Sequence, residues 1–539
     1  SPNSRRWIFP ALIIAAIAIA ILIMALIFSA NATSAASVEP VEPGEIMVLL
    51  AELEVLTDQP RDVERFIEDD LSQFLEQGLA TPIRVRTLPQ AIRSAEEARV
   101  TAELYDASVI VWGNYNREYV ELNVQIGDLS LYPHIMIERR ELERIANIRV
   151  HMTDERRQTI AMAVIGALLT LQSAEGAVFS SASTLSLATR IDKPSPPAAD
   201  DLASELIYLA FSNYAASPTV ARVMFDDAID VNGGSPILYL FRAVTNLRAG
   251  DPDAARLDAE TARRLANTGW TTPQLVLALA SILEGDSAGA IASLNQVIAV
   301  LPDDPLALSL RGMLHYFSHD LSAARADLEH VIAVSPEDRF AYPLAVLIAM
   351  RDGRFDDAGR YTQFLMTEYP DTQLVTNTFN LLGADETVVF GQFFAAVTNL
   401  SLGQYSDALH EIGQVLAVDN TLPDAYMIRG FSHCALGDLS LAEADFDAGL
   451  ALDPTHRLIN LLRVLLRLQQ GDVPAAAEII DEMRASALDE SEGGASNEII
   501  GRVVSRLLAG EINCSNVFQL MLEAYTDIEA AQSTEIPQS

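Results

Sequence analysis

The hydrophobic and polar positions of the chain fall into three successive patterns. Ile8–Phe28 is an unbroken apolar run of 21 residues. From Glu45 to about Asp128, short apolar or alternating segments interchange with segments whose apolar residues recur at helical spacing. From Asp201 onwards the apolar positions follow a helical period within blocks of about 34 residues. The patterns predict a membrane-spanning segment, an α/β domain and a long array of helices, in that order.

The array is marked by a turn that recurs about every 34 residues, apart from one longer interval after the fourth turn. The first residues of these turns are Gly250, Gly285, His319, Gly353, Gly403, Gly437 and Gly471. An alanine follows each of them at the fifth position: Ala255, Ala290, Ala324, Ala358, Ala408, Ala442 and Ala476. A small or slim residue stands at the seventh position before each of them: Ala243, Ala278, Gly312, Val346, Ala396, Gly430 and Val464.

This spacing has a physical explanation. A small residue lets two helices cross closely, and a glycine allows a sharp turn at low steric cost. The aspartate that often follows can bind backbone N–H groups. Prolines that end the second helix stand at one fixed offset from their turns, at Pro302, Pro336, Pro370 and Pro454. The longer interval predicts an insertion between Pro370 and Val388, either a longer loop or an extra short helix.

The small residue, the Gly-Asp turn, the alanine and the terminal proline resemble the tetratricopeptide repeat. The resemblance covers residues 201–488, with a first unit around Ala216, and implies an α-solenoid of about eight helical hairpins. Solenoids of this kind function through a broad surface rather than a catalytic cleft. The chain departs from the pattern at His319, which replaces a turn glycine, and at Asn267, Asn420 and Leu488, which replace the terminal proline.

The resemblance predicts a protein partner along the concave face, which the first helices of the repeats would line. The residues expected to face this groove are Tyr239, Arg242, Asn246, Arg311, His315, Arg429 and His433. The alternative for each is an ordinary position on the surface of a helix.

The apolar run at the amino end predicts a transmembrane helix within residues 1–30. A helix of about 20 apolar residues spans the hydrocarbon layer of a membrane. Arg5 and Arg6 precede the run, which predicts a cytoplasmic amino end, an exported body and a single pass through a bacterial cell membrane. A cleaved signal peptide with small-x-small sites after Phe28 and a buried soluble helix are the alternatives. Residues 31–44 are rich in Ser, Ala, Pro and Glu, which predicts a flexible linker.

Residues 45–150 predict a small α/β sandwich with the order β-α-β-α-β-β. Ser94 and Glu97 form a candidate capping box at the second helix. Ile83–Pro89 and Ala107–Tyr115 resemble the amino-terminal domain of TolB-type periplasmic proteins, which implies a role in protein association in the cell envelope. Trp112 and Gly113 are the first residues to test there, against the alternative that they serve the core and a strand end.

Two further stretches are less regular. Residues 151–200 predict a helical connector, which a degenerate repeat could also explain. Residues 489–539 predict a helical cap and a flexible tail. Within the first domain, Ile135–Arg144 fits either a charged strand or a short helix.

The composition narrows the choice of partners. The formal net charge is −38, and such a surface repels nucleic acid. Half of the residues are hydrophobic, which allows several folded domains in a chain of 539 residues. Cys434 and Cys514, the two cysteines, both fall in predicted helices and form no disulfide framework; the sequence leaves their pairing open.

No catalytic constellation is found in the sequence, so we expect no enzyme activity, no cofactor, no metal and no small-molecule substrate. His315 and His319 could face one side of a helix end, but no third metal ligand suggests itself. The leading hypothesis is a membrane-anchored, extracytoplasmic scaffold or adaptor for proteins. An accessory structural subunit of a large membrane complex is the second hypothesis, and an enzyme with its site in the α/β domain is the third.

Overall fold

The computed structural model describes residues 45–57, 63–75, 82–116, 120–133, 135, 137–146, 148–152, 159–175, 210, 213, 217–231, 234–266, 269–336, 341–352, 354–368, 385–486 and 513–514. Internal contacts divide the chain into two compact units. The first contains the described residues up to Glu175, and the second contains nearly all of the described helices from Pro218 onwards. The predicted transmembrane run, the linker and most of the insertion after Pro370 lie outside the described residues; the end of the insertion, from Asp385, belongs to a helix.

The first unit is built on a mixed sheet, as the sequence predicts. Its strands are β1 (Ile46–Glu52), β2 (Glu54–Val55), β3 (Ile83–Ala91), β4 (Val109–Tyr115), β5 (Val120–Ile126) and β6 (Ile148–Met152). The order across the sheet is β3-β1-β4-β5-β6, and β2 pairs with β4. β1 is parallel to β3 and β4, whereas β4–β5 and β5–β6 are antiparallel. The interior strand β1, which lies between β3 and β4, is buried from Met47 to Ala51, which matches its continuous apolar sequence.

Helices cover this sheet. They are α1 (Val63–Leu75), α2 (Ala95–Leu104), α3 (Arg139–Ala146) and α4 (Thr159–Glu175), with a 3₁₀ turn at Leu129–Leu131. The ambiguous charged stretch after Ile135 therefore forms a helix. The sequence predicts a connector at α4, but this helix packs on β4, β5 and β6 within the first unit.

Local signals in the first unit are confirmed in detail. The Glu97 N–H donates to Ser94 Oγ at 3.1 Å, while Glu97 Oε2 accepts from the Arg93 N–H at 2.9 Å. This is the reciprocal arrangement of a capping box, shifted by one residue on the return bond. Gly113 lies where an added Cβ would come within 2.0 Å of the Glu121 carbonyl oxygen, so the neighbouring strand requires glycine there.

The second unit is a succession of antiparallel helix pairs. α5 (Pro218–Val231) precedes the complete pairs. The complete pairs are α6 (Pro236–Arg248) with α7 (Pro252–Ala266), α8 (Thr272–Leu283) with α9 (Ser287–Val300), α10 (Pro305–Phe317) with α11 (Leu321–Val334), α12 (Ala341–Arg351) with α13 (Phe355–Glu368), α14 (Asp385–Ser401) with α15 (Tyr405–Val418), α16 (Pro423–Leu436) with α17 (Leu439–Leu452), and α18 (Arg457–Gln469) with α19 (Val473–Ser486). The predicted ladder of hairpins is confirmed.

The turn between the helices of each pair has the predicted chemistry. The described turn glycines, which are Gly250, Gly285, Gly403, Gly437 and Gly471, have positive φ between 72° and 93°, and His319 adopts the same left-handed conformation at 62°. Four turn aspartates accept a backbone N–H from the residue three positions later: Asp251, Asp286, Asp320 and Asp472. Gly430 permits a close crossing, since an added Cβ would lie 2.8 Å from the Phe446 ring. The residues of the recurring sequence signature therefore form the turn and the close contact between the two helices of each pair.

The first helices are buried more completely than a simple solenoid requires. All residues of α12 from Ala341 to Met350 are buried, as are nearly all residues of α8. Contacts between α8 and α14, and between α12 and α18, join first helices from pairs that are not neighbours. The first helices in this part of the array are thus covered on more than one side. The physical reason is that these first helices are apolar on all sides, and such helices bury more than one face.

Within the described residues, no helix combines the length and the apolar character needed to cross a membrane.

Candidate functional site

Three of the predicted partner-binding residues are arginines that join the two helices of one pair. Arg311 Nε and Nη2 donate to the two carboxylate oxygens of Asp327 at 2.8 and 2.6 Å. Each of the three arginines bonds an aspartate 16 residues later, whose side chain is nearly buried. The three pairs are Arg242–Asp258, Arg311–Asp327 and Arg429–Asp445.

Two of these arginines also bond the helix that precedes their own pair. Arg242 Nη1 donates to Asp226 Oδ1 on α5 at 2.7 Å. Arg311 Nη1 donates to Asn295 Oδ1 on α9 at 2.6 Å. Each of the two therefore holds three helices together, with partners 16 residues before and after it.

The other four predicted residues have varied surroundings. Asn246 is buried, and its Nδ2 donates to Asp258 at 2.9 Å. The Tyr239 ring lies 5.3 Å from the Arg242 guanidinium carbon. His315 is half-buried near the end of α10, and His433 lies 3.8 Å from Asp438. Partner binding by any of the seven residues stays a prediction.

The charges of the bridging arginines are strongly favoured in the folded protein. The hydrogen bonds to Asp327 raise the pKa of Arg311, and those to Asp445 raise the pKa of Arg429. Removing such an arginine would leave a nearly buried carboxylate without compensation, which is costly. The sequence carries a signal for these bridges, because an aspartate stands 16 residues after each arginine. The prediction of groove residues considers the faces of the first helices one at a time, so it does not use this spacing and does not predict the bridges.

A second polar cluster crosses the array, and no sequence pattern indicates it. Arg351 at the end of α12 donates to Asp453 at 2.5 Å and to Asp424 at 3.4 Å. Asp424 Oδ1 lies 2.9 Å from His456 Nε2, and His456 Nδ1 accepts from the Ile459 N–H at 3.3 Å. Because Nδ1 accepts, Nε2 carries the proton that is donated to Asp424.

Burial and hydrogen bonding act in opposite directions in this cluster. Burial alone would raise the pKa of Asp424, but the bond from His456 and the charge of Arg351 hold that pKa below its ordinary value. Burial, together with the Asp424 charge, raises the pKa of Tyr316 well above its ordinary value. A carboxylate–imidazole pair can serve as a general base in other settings. The His456 side chain has no exposed surface, and its bonds join the start of α18 to Asp424 of α16.

A disulfide joins Cys434 of α16 to Cys514, 80 residues later. Both cysteines are buried, and the Cys514 N–H donates to Gln469 Oε1 at 3.3 Å. The structure corrects one expectation, because Cys514 lies in a turn rather than in a helix. The pairing that the sequence leaves open links the inner helix of the sixth complete pair to a residue beyond the last pair.

Comparison with known proteins agrees with this architecture. The family model of the tetratricopeptide repeat matches residues 395–456 and 432–490. No curated protein sequence matches the chain. Tetratricopeptide folds are in general non-catalytic scaffolds for interaction.

Several solved structures are similar at low sequence identity. A tetratricopeptide repeat protein from Parabacteroides merdae has 18% identity and a TM-score of 0.30, over 48% of this chain and 97% of that one. A thermophilic repeat protein from Thermus thermophilus has 19% identity and a TM-score of 0.28, over 33% and 98%. Yeast Tom70 has 16% identity and a TM-score of 0.29, over 76% and 87%. The present chain contains tetratricopeptide repeats, which the family model places at residues 395–490.

Proposed function

We propose that this protein is a membrane-anchored, extracytoplasmic scaffold that binds other proteins and catalyses no reaction. The observation that carries the proposal is the array of helix pairs between Pro236 and Ser486. Its polar clusters at Arg311 and Arg351 join helices to one another. Such an array offers a long rigid surface, which suits recognition of a polypeptide.

The partner surface is proposed to lie on the outer side, because the first helices are buried. Aliphatic side chains recur at equivalent positions near the carboxyl ends of the second helices and are 40–69% exposed. These residues, called here the aliphatic row, are Leu265, Val300, Val334, Val418 and Leu452. Repeated exposure of apolar side chains at equivalent positions favours contact with a partner over chance.

Membrane anchoring rests on the sequence of Ile8–Phe28 and its flanking arginines. The buried disulfide supports an extracytoplasmic body, since structural disulfides persist in oxidising compartments. Peptide mass spectrometry of the alkylated, unreduced protein from native cells tests this. We expect the Cys434–Cys514 cross-link in most molecules. Protease added to spheroplasts should also digest the body, and full protection would contradict the assignment.

The first unit is proposed to assist protein association, as its resemblance to the TolB amino-terminal domain implies. Trp112 is the residue to test, because it is only partly buried and its Nε1 donates to Gln125 at 3.3 Å. Trp112→Phe removes this bond and keeps an aromatic ring in place, so a loss of association without a loss of stability would support a role in binding.

Cross-linking mass spectrometry on native membranes tests the proposed function as a whole. We expect one or a few proteins to be cross-linked recurrently to the array. A variant with Val334→Ser, Val418→Ser and Leu452→Ser should lose these cross-links at unchanged stability. Leu257→Ser with Leu441→Ser is the matched control, because those residues are also exposed on the second unit but lie outside the aliphatic row.

The outcome also separates a scaffold from a structural subunit. Purification at a fixed ratio with the same large complex would favour the accessory-subunit alternative. Absence of any recurrent partner from membranes that contain the folded protein would overturn both.

A further inference from the structure

We propose that a small pocket in the second unit binds an arginine side chain of the protein partner; this rests on the proposed scaffold function. The pocket has a volume of about 190 Å³. Among the residues that line it are Phe317, His319, Phe393, Asp419 and Thr421.

The pocket is a product of the contacts that cross the array. Phe317 and His319 come from the end of α10 and the turn that follows it, whereas Phe393 belongs to α14. The Phe317 and Phe393 rings pack edge to face with their centroids 5.4 Å apart. Asp419 follows α15, directly after Val418 of the aliphatic row. The pocket therefore adjoins the surface that we propose for the partner.

The size of the pocket limits its occupant. Sites for cofactors and drug-sized ligands usually measure about 300–1,000 Å³. A pocket of about 190 Å³ is smaller than this range, yet it exceeds the space of several water molecules, each of which occupies about 30 Å³. A single long side chain fits these limits.

The chemistry of the lining favours a cation with a flat face. Asp419 Oδ1 accepts from the Thr421 N–H and hydroxyl at 2.8 and 2.7 Å, so the carboxylate is held in a fixed orientation at the pocket. Phenylalanine rings attract cations through their π faces. A guanidinium group can bond a carboxylate with its planar fork and stack on a ring at the same time, which an ammonium group cannot do.

The charge of the whole chain acts in the same direction. With a net charge of −38, the protein attracts basic segments from a distance and accelerates their encounter. The pocket would then select arginine from among the residues of such a segment.

Saturation-transfer NMR on the purified full-length protein tests the assignment with two matched probes, acetyl-arginine amide and acetyl-citrulline amide. Citrulline keeps the shape of arginine but carries no charge. We expect saturation transfer to the arginine probe to exceed that to the citrulline probe at least fivefold. Equal transfer to the two probes would overturn the proposal.

Variants locate the binding. Asp419→Asn keeps the hydrogen bonds with Thr421 and removes the charge, and it should reduce transfer to the arginine probe to the citrulline level. Asp447→Asn is the matched control, because that side chain is 60% exposed on α17 and does not line the pocket. Phe317→Leu, which removes one ring, should weaken binding as well. It provides the decisive measurement if Asp419→Asn does not fold.

Failure of the pocket proposal and failure of the scaffold function give different results. If cross-linking finds a partner that Asp419→Asn binds as well as the wild type does, the pocket proposal fails and the scaffold proposal stands. If the arginine probe binds through Asp419 but no partner is found, the pocket binds a guanidinium group, whereas the scaffold function and the assignment to a partner's arginine both fail.

Discussion

Two kinds of buried ion pair hold the array together, and they differ in how far apart their partners lie in the sequence. Arg311 and Asp327 are 16 residues apart and join the helices of one pair. Arg351 bonds Asp424 and Asp453, which are 73 and 102 residues away and belong to other pairs. The first kind stabilises a unit that recurs, whereas the second kind connects units that are not neighbours.

This difference bears on how the array unfolds. In a simple solenoid each repeat contacts only its neighbours, so stability is roughly a sum over repeats and interfaces. The bonds of Arg351 add a contact that such a sum does not contain. We therefore expect the pairs between α12 and α18 to unfold more cooperatively than the pairs that only local bridges join.

The largest effect is expected for Arg351→Met, which leaves Asp424 and Asp453 without their cation. Breaking a largely buried pair costs about 3–5 kcal/mol, so we expect a loss of about 4 kcal/mol in the free energy of unfolding. Denaturant titration measures this loss. Hydrogen exchange followed by mass spectrometry should show weaker protection in α12 and in α16 together.

Arg325→Met is the control for this variant. Arg325 bonds Asp352 at 3.1 Å, but its side chain is 42% exposed. Exposed pairs contribute about 0–1 kcal/mol, so this change should have little effect. Weaker protection confined to α12 in Arg351→Met would contradict the cross-array role of Arg351.

A somewhat smaller effect is expected for Arg311→Met, because it leaves one nearly buried carboxylate without its cation, whereas Arg351→Met leaves two. We expect a loss of about 3 kcal/mol, with exchange increasing only in α10, α11 and the adjoining α9. The double variant Arg311→Met with Asp327→Leu should recover most of the loss, since it removes the uncompensated carboxylate. Failure of the second change to restore stability would show that the charge of Asp327 is not the cause.

The same contrast explains which features the sequence revealed. The turn, its glycines and the alanine of each second helix lie within one repeat, so their spacing predicted the helix pairs and the close crossing at Gly430. In the sequence, an aspartate also stands 16 residues after Arg242 and 16 residues after Arg311. That offset has a structural meaning only after the pairs are placed side by side.

The contacts of Arg351 could not be predicted in this way. They join helices of pairs that are not neighbours in the sequence. The period of the repeat describes only the residues within one pair and its immediate neighbours, so it does not indicate these contacts. The apolar character of α8 and α12 on all sides was the one available signal that their inner faces are covered. The pocket at Phe317 and Asp419 depends on the same contacts and was equally hidden.

A smaller effect is expected when acid weakens the network around Arg351. The bond from His456 and the charge of Arg351 hold the pKa of Asp424 below its ordinary value despite burial, whereas an unfolded carboxyl titrates near pH 4. The stabilisation by Asp424 is therefore complete above that pH and is lost as the pH falls through the folded pKa. Burial alone would raise the pKa of Asp453, but the hydrogen bonds from Thr455 and the charge of Arg351 lower it. Asp453 therefore adds to the loss of stability in the same pH range.

Stability measured by denaturant titration between pH 6 and pH 3 tests this linkage. Asp424→Asn should lower the stability at pH 6 and flatten its decline towards pH 3, leaving only the part contributed by Asp453 and other carboxyls. An unchanged slope in this variant would show that Asp424 titrates normally and that the network does not depend on its charge.

The smallest effect is expected at His319, which lies in the turn of one pair and also takes part in contacts between pairs that are not neighbours. It occupies a local turn at a φ of 62°, where the other described turns have glycine, and it also lines the pocket formed across the array. A left-handed conformation costs a residue with a Cβ about 1–2 kcal/mol, partly offset by the greater entropy of glycine in the unfolded chain. We expect His319→Gly to raise the free energy of unfolding by about 0.5–1 kcal/mol.

Gly285→His is the reciprocal variant, because an added Cβ at Gly285 meets no atom within 4 Å and only the backbone conformation opposes it. Denaturant titration should show a loss of about the same size as the gain from His319→Gly. Equal and opposite values would mean that backbone strain at the turn accounts for the whole effect. A loss of stability in His319→Gly would instead show that the imidazole stabilises the contact between α10 and α14, and the prediction of a local effect would be wrong.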